Sequence, residues 1–414
     1  MERILILLGS YGVIPDAIAV CADRVAAALF EEAGISSDLL YFRGGAVLSR
    51  ESACPGVRVM RTVVNAQERG QSGAGFLKKL AGLFLLPWFP LRSPDRIRAY
   101  RRFRSAVKRA LSAERYGAVV CAFHPYETAM LLPMLRRRAP GVRRILWCLD
   151  PTSYEGMEQR GPGFMHGLYR RLYQRREKQY FAAADDVLLM ECSRSHYARP
   201  RYDRFRSRMH FSDLPLLTPC AETEGAEAGA RGPVRLLYAG RFYGGNRNPR
   251  HLCRTLACLA KARPFAADFY TDGSEDAGLA ACAAETGGMV RAHGLRPHAQ
   301  IVRRMAAADV LVNFGNRGQE IVPSKLFELM GTGKKILHCC AEENDTCLPY
   351  LARYPAAFVL LESEAPETAA ERLSAFFDAP VKVDLQGLLQ EFEKNTPEYT
   401  AGLIASCCGA GRRA

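Results

Sequence analysis

Two glutamates, Glu320 and Glu328, stand with seven residues between them in the stretch QEIVPSKLFELMGTGKKIL, and Val322, Pro323, Ser324 and Lys325 lie between the pair. An ionised carboxylate only accepts hydrogen bonds, so it suits hydroxyl groups and repels phosphate. The residues before Ser324 read as a loop, and Ser324 is of the type that caps a helix start. Leu326, Phe327, Leu329 and Met330 would form the buried side of the helix KLFELM. Backbone N–H groups at such a start, here Ser324 to Leu326, have no partner within the helix and make an anion site. Hydroxyl acceptors flanking an anion site describe a nucleotide sugar, with ribose on one side of a diphosphate and the sugar on the other.

The same stretch ends in Gly331-Thr-Gly333-Lys-Lys, which resembles a phosphate-binding loop at first sight. The spacing rejects that reading. Glu328 occupies the position of the first glycine, and Lys335 stands where Ser or Thr must follow the lysine. Such a loop also joins a strand to a helix, whereas these glycines follow a helix and precede the apolar run KKILHCC. They read as a helix stop.

The elements that would position these residues follow from periodicity. RILILLGS, YGAVVCAFH, RRILWCLD and ADDVLLM are short apolar runs of the buried-strand type, and PDAIAVCADRVAAALFEEAG is a helix between Pro15 and Gly34. Residues 216–233 contain an Ala, Gly, Glu and Pro-rich segment without apolar periodicity and read as a linker. Alternation then restarts with VRLLYAGRF, PRHLCRTLACLAKA, AADFYTDGS, AQIVRRMAAA, DVLVNFGN, KKILHCC and PETAAERLSAFFDA. Alternating strands and helices imply parallel sheets covered on both faces. The expected fold is α/β, with two tandem doubly wound, Rossmann-like domains facing across a cleft: residues 1–215 and 234–384. A final helical segment, 385–414, would cross back to the first domain. Ligands of such sheets bind at the carboxyl ends of the strands.

At 414 residues with 48% apolar content, the chain is long enough for more than one core. The longest apolar block, Leu80–Leu91, is too short and too proline-interrupted to cross a bilayer, and MERILILLGS reads as a first strand and not as a leader. A cytoplasmic protein is expected. Fourteen cysteines without a Cys-x-x-Cys pair, and eight scattered histidines, point to reduced core thiols and to no metal site. Asp185-Asp186 reads as a solvent-facing strand start. The net charge of +14 is uneven, because residues 1–220 hold 35 Lys and Arg against 20 Asp and Glu. That half is expected to meet an anionic partner. The segment Phe76–Arg109 joins an apolar block to a dense Arg/Lys run, and GLYRRLYQRREKQYF interleaves Arg with Tyr. Both fit peripheral contact with an anionic membrane, at the inner face of the plasma membrane. No nucleic-acid motif is present, so nucleic acid is not an expected partner.

The Glu-x7-Glu pattern within EIVPSKLFELMGTGKKIL resembles the donor-site signature of retaining glycosyltransferases of the family 4 (group 1) type, which have the two-domain GT-B fold. LLYAGRFYGGNRNP, with Gly240 and Arg241, is similar to the segment that opens that family's C-terminal domain. VRAHGLRP and DVLVNFGN match more weakly, and the resemblance covers residues 231–385. It implies that Glu328 holds ribose hydroxyls, that Glu320 meets the transferred sugar at its anomeric carbon, and that the backbone of Val322, Pro323, Ser324 and Lys325 cradles the diphosphate. Arg241 would neutralise the departing nucleoside diphosphate. The family's usual lysine a few residues later is missing, and Arg247 is the nearest cation. No cofactor or metal is implied, and a front-face displacement would retain the anomeric configuration. The first domain would hold a sugar or lipid-linked acceptor, in cell-surface polysaccharide or glycolipid synthesis. On that side Gly9, Ser10 and Gly12 end the first strand and His124 ends another, which makes them acceptor-side candidates. A sugar-nucleotide epimerase of the same fold, and a basic membrane- or nucleic-acid-binding protein without catalysis, are the alternatives.

Overall fold

The computed structural model describes residues 3–10, 17–43, 54–61, 89–91, 94–123, 125–149, 163–220, 232–242, 247–317 and 322–409. The chain divides into two compact units, Met1–Pro215 with Lys394–Ala414, and Leu216–Glu393.

In the first unit the strands are β1 (Arg3–Ser10), β2 (Ser36–Arg43), β3 (Val57–Arg61), β4 (Ala118–Phe123), β5 (Arg143–Cys148), β6 (Asp186–Met190) and β7 (Met209–Ser212). They form one sheet in the order β3-β2-β1-β4-β5-β6-β7, every pair parallel. Consecutive residues Ile4–Leu8 and Ala118–Phe123 are all buried, as a sheet covered on both faces requires. Helix α1 (Ala17–Ala33) buries Cys21, Ala22, Val25, Ala26 and Leu29 and stops at Gly34, whose φ of 63° favours glycine.

Helix α2 (Pro94–Ala113) buries Ile97, Tyr100, Phe103 and Val107 in its own unit's core, with Arg101, Arg102 and Arg109 exposed. Its apolar stripe is therefore not available to a bilayer; cations on the opposite face are what it presents. Helix α3 (Gly163–Ala183) likewise turns Tyr180 and Phe181 inward and leaves Arg170, Arg171 and Arg175 exposed. The apolar residues 76–88 lie outside the described residues. Among the described residues no helix is long and apolar enough to cross a membrane.

Asp186 begins β6 directly after Asp185, and it does not face solvent, while Asp185 stays partly exposed. Arg144 pairs with Asp185, and Arg143 (2.6 Å) and His210 (3.0 Å) pair with Asp186, which is buried. A carboxylate at a strand start in a packed unit needs such cations to offset desolvation.

His210 ties the end of the chain to this unit. The helix Pro397–Cys407 packs on α1, its start capped by Thr396 accepting from the Tyr399 N–H, and Cys407 Sγ lies 3.8 Å from His210 Nε2. The hydrogen bond to Asp186, and next the contact with Cys407, raise the His210 pKa to about 10. A raised folded-state pKa gives stability that is complete below the unfolded value near 6.5 and is lost as pH rises towards 10. The melting temperature should therefore fall by about 5 °C between pH 7 and 10. His210→Asn should abolish that slope in a pH series of thermal melts.

The second unit holds β8 (Val234–Ala239), β9 (Phe265–Thr271), β10 (Val290–Gly294), β11 (Val310–Phe314), β12 (Lys335–Cys340) and β13 (Ala357–Leu361). These strands order as β10-β9-β8-β11-β12-β13, again all parallel. Helices α4 (Arg250–Ala260) and α7 (Pro366–Asp378) pack together; α5 (His298–Ala307) and α6 (Lys325–Met330) flank β11 in sequence. The segment α8 (Leu385–Glu391) stays with this unit, and the chain joins the first unit only from Lys394. Residues 216–220, at the start of the segment read as a linker, are packed: Leu216 and Leu217 are buried and the Cys220 N–H donates to Gly331 O at 3.0 Å. Residues 221–231 lie outside the described residues.

Candidate functional site

In the second unit the chain direction across the sheet reverses between β8 and β11, so their carboxyl ends open a crevice with no crossover helix filling it. The residues singled out in the sequence gather there. Lys325, the first residue of α6, reaches back with its Nζ to the carbonyl of Ala239, the last residue of β8. Arg247 folds onto the same edge: its N–H donates to Phe242 O at 3.1 Å, its Nε to Asn316 Oδ1 at 3.0 Å, and its Nη1 to Arg241 O at 3.4 Å. Asn316 follows the end of β11 by two residues. Arg247 thus bridges both sides of the switch point.

Charge is concentrated here. Burial pushes the Lys325 pKa down, Glu328 opposes that shift, and the nearby Arg247 cation adds to it. Two cations held this close gain from a negatively charged ligand between them. Arg241 stands on the same edge with an exposed guanidinium that has no ion-pair partner among the described residues. Gly240 precedes it, and a Cβ there would come within 2.7 Å of the Tyr238 hydroxyl. A larger residue here would require the Tyr238 ring to shift.

Helix α6 buries Leu326, Phe327, Leu329 and Met330, and this fixes the opposite side, with Glu328, towards the partly exposed edge. Val322 and Pro323 are buried and hold its entry. Two expectations need correction. Ser324 occupies the cap position but has helical backbone angles and makes no side-chain cap. The Leu326 N–H is not open either, because it donates to Pro323 O at 3.0 Å in a tight first turn. The helix stop holds: Gly333 has φ 66°.

Glu328 Oε1 lies 3.1 Å from His298 Nε2, at the start of α5. Sequence reasoning missed His298, although it directly follows the weakly matching VRAHGLRP. A lone histidine carries no spacing signal; only the sheet order brings the loop after β10 to α6.

Glu320, Gly12 and His124 lie outside the described residues. Gly9 is buried next to the end of β1, and a Cβ on it would come within 2.6 Å of Pro125 Cδ, in the loop after β4. The strands β1 and β4 are neighbours at the first unit's own switch point, so Gly9 permits a close approach of the end of β1 to the loop after β4. Ser10 is the last residue of β1.

No family model matches this sequence, and no curated protein is similar to it in sequence. Solved structures are similar over the whole length. The N-terminal domain of a trehalose-6-phosphate phosphatase from Candida albicans superposes with a TM-score of 0.63 at 12% identity, covering 99% of this chain and 97% of that one. An α,α-trehalose-phosphate synthase (UDP-forming) from Burkholderia xenovorans gives 0.60 at 11% identity, with 99% and 100% covered. WaaG, a glycosyltransferase involved in lipopolysaccharide biosynthesis, gives 0.55 at 13% identity, with 99% and 98% covered. The chain has the fold shared by these proteins, the GT-B fold of two Rossmann-like α/β units each built on a parallel sheet.

Proposed function

We propose that the protein is a retaining glycosyltransferase of the family 4 type, moving a sugar from a nucleoside-diphosphate sugar to an acceptor hydroxyl. The observation that carries this reading is the meeting of Lys325, Arg247 and Glu328 at the switch point between β8 and β11. Cations and a carboxylate side by side match a ligand that is anionic in its middle and hydroxylated at its end.

In this reading Glu328 accepts hydrogen bonds from the ribose hydroxyls, with His298 orienting its carboxylate. Arg247 and Lys325 contact the diphosphate alongside the backbone of Val322, Pro323 and Ser324. Arg241 meets the charge that develops as the bond between the anomeric carbon and the diphosphate oxygen breaks. The acceptor oxygen forms its bond to the same face of that carbon, and its proton passes to the departing phosphate oxygen. Glu320 is assigned to the sugar next to that carbon. Fixed cations here supply the positive charge for which other transferases use a divalent ion, so the proposed reaction is metal-independent.

The acceptor side is assigned to the first unit, at Gly9 and Ser10 with Gly12 and His124. Its exposed arginines on α2 and α3 favour a lipid-linked or cell-surface acceptor reached at an anionic membrane surface, from the cytoplasmic side. The test is thermal stability of the purified protein against UDP, GDP, CDP and dTDP and their sugars. A rise of several degrees with one nucleotide is expected, as for any ligand well above its Kd. A flat panel overturns the reading. Conversion of a sugar nucleotide to its epimer without acceptor would favour the epimerase instead.

A further inference from the structure

Behind the switch point the second unit buries a polar group that the proposed chemistry does not use. His338 on β12 is fully buried, and its cross-strand partner on β11 is Asn313, also buried. Asn313 Nδ2 lies 2.9 Å from His338 Nδ1. On the other side of the ring, His338 Nε2 lies 3.4 Å from Asp345 Oδ1, and that oxygen also accepts from the Cys347 N–H at 2.7 Å. No Lys or Arg pairs with Asp345 among the described residues. Burial pushes the Asp345 carboxyl up, but the imidazole and the Cys347 N–H outweigh it and hold the group below the usual carboxylate value. Asn313 Nδ2 also reaches Cys347 Sγ at 3.8 Å, whereas the 3.4 Å approach of His338 Nε2 to Asp345 is an ion-pair contact outside hydrogen-bond geometry.

A buried carboxylate with no cationic partner beyond an imidazole costs stability, so its geometry is informative. The second oxygen, Asp345 Oδ2, presses on Gly315: a Cβ built there would fall 1.7 Å from it. Gly315 follows the last residue of β11, and its N–H donates to Cys339 O at 2.9 Å. Next in the chain is Asn316, whose Oδ1 holds the Arg247 guanidinium at 3.0 Å.

We infer that Asn313, His338 and Asp345 are positioning residues: they lock Gly315 and Asn316 at the carboxyl end of β11 and thereby aim Arg247 into the crevice. The glycine is required because the carboxylate occupies the space of its side chain. The lock deepens the donor-site reading, but its first test needs no ligand.

That test is amide hydrogen exchange on the full-length protein, comparing Asp345→Asn and His338→Gln with the unsubstituted chain. Exchange in peptides covering Gly315–Arg317 and Arg247 is expected to rise tenfold or more, while β8 and α4 keep their protection. Gly315→Ala, which displaces Asp345 from the other side, should give the same local pattern should either of the first two variants fail to fold. Unchanged exchange at Gly315–Arg317, or a uniform rise across the second unit, overturns the inference. A double-mutant cycle then separates lock from fold: Asp345→Asn should weaken nucleoside-diphosphate binding about tenfold, and by less than twofold in an Arg247→Ala background. Additive losses overturn the link to Arg247. Local exchange without any nucleotide binding in the unsubstituted protein would keep the lock and remove the donor-site reading.

Discussion

Glu328→Ala is expected to abolish the thermal shift given by the preferred nucleotide sugar and to weaken its binding at least a hundredfold in calorimetry. The carboxylate has two oxygens to offer to two ribose hydroxyls, and a hydrogen bond to a charged group contributes about 1.5–3 kcal/mol. Losing both exceeds the roughly 2.7 kcal/mol that a hundredfold change in Kd represents. A further effect has the same sign, because Glu328 is the anion that opposes the lowering of the Lys325 pKa. Without it, Lys325 is more easily deprotonated and less able to hold a diphosphate. Glu328→Gln separates these contributions: the amide still bonds hydroxyls but carries no charge, so a loss of about tenfold is expected. Binding within twofold of the unsubstituted protein in Glu328→Ala would remove this residue from the donor site. The fold should tolerate the change, since Glu328 lies on the partly exposed side of α6.

Gly331→Ala is expected to be the most damaging single-methyl change in the second unit. A Cβ at this position would lie 2.1 Å from the backbone carbonyl oxygen of Thr218, with the carbonyl carbon at 3.1 Å. Backbone cannot swing aside as a side chain can, and the segment is held in place by the Cys220 N–H donating to Gly331 O. Overpacking of this kind costs about 1–3 kcal/mol, and the immovable neighbour puts it at the upper end. The expected loss is about 3 kcal/mol, read as a lowered midpoint in urea unfolding. Gly333→Ala offers the comparison. Its neighbours are side chains 3.4 Å or more away, so only its φ of 66° opposes a Cβ, at about 1–2 kcal/mol. A Gly331→Ala variant less destabilised than Gly333→Ala would show that residues 216–220 yield, contrary to their packing.

Much of the fold was legible because strand runs such as RILILLGS and VRLLYAGRF are buried on both faces and need no alternation to be recognised. Strands β2, β3, β7, β10 and β13 were not read. SSDLLYFR and VRVMR carry polar residues within short runs, and Asp38 in β2 is tolerated only because Arg3, Arg58 and Tyr116 surround it. Those partners come from three other places in the chain, so no local window contains the reason. The reading of Asp186 failed for the same cause: an exposed carboxylate was expected, and it is buried against Arg143 and His210, while Asp185 stays partly exposed beside Arg144.

For the candidate site, residue type and spacing alone singled out the groups to which the proposal assigns chemistry: a carboxylate in the first turn of a helix, a lysine at its start and an arginine after a glycine. These are local facts, and a helix start or a strand end is set by neighbours within a few residues. What only the tertiary structure decided is which of them meet. Parallel order β10-β9-β8-β11-β12-β13 places Arg247 against Asn316 and Lys325 against Ala239, 69 and 86 residues apart in the chain. It also brings His298 to Glu328 and Asp345 to Gly315. Crossover connections set such meetings, and their lengths leave no periodic trace in the sequence.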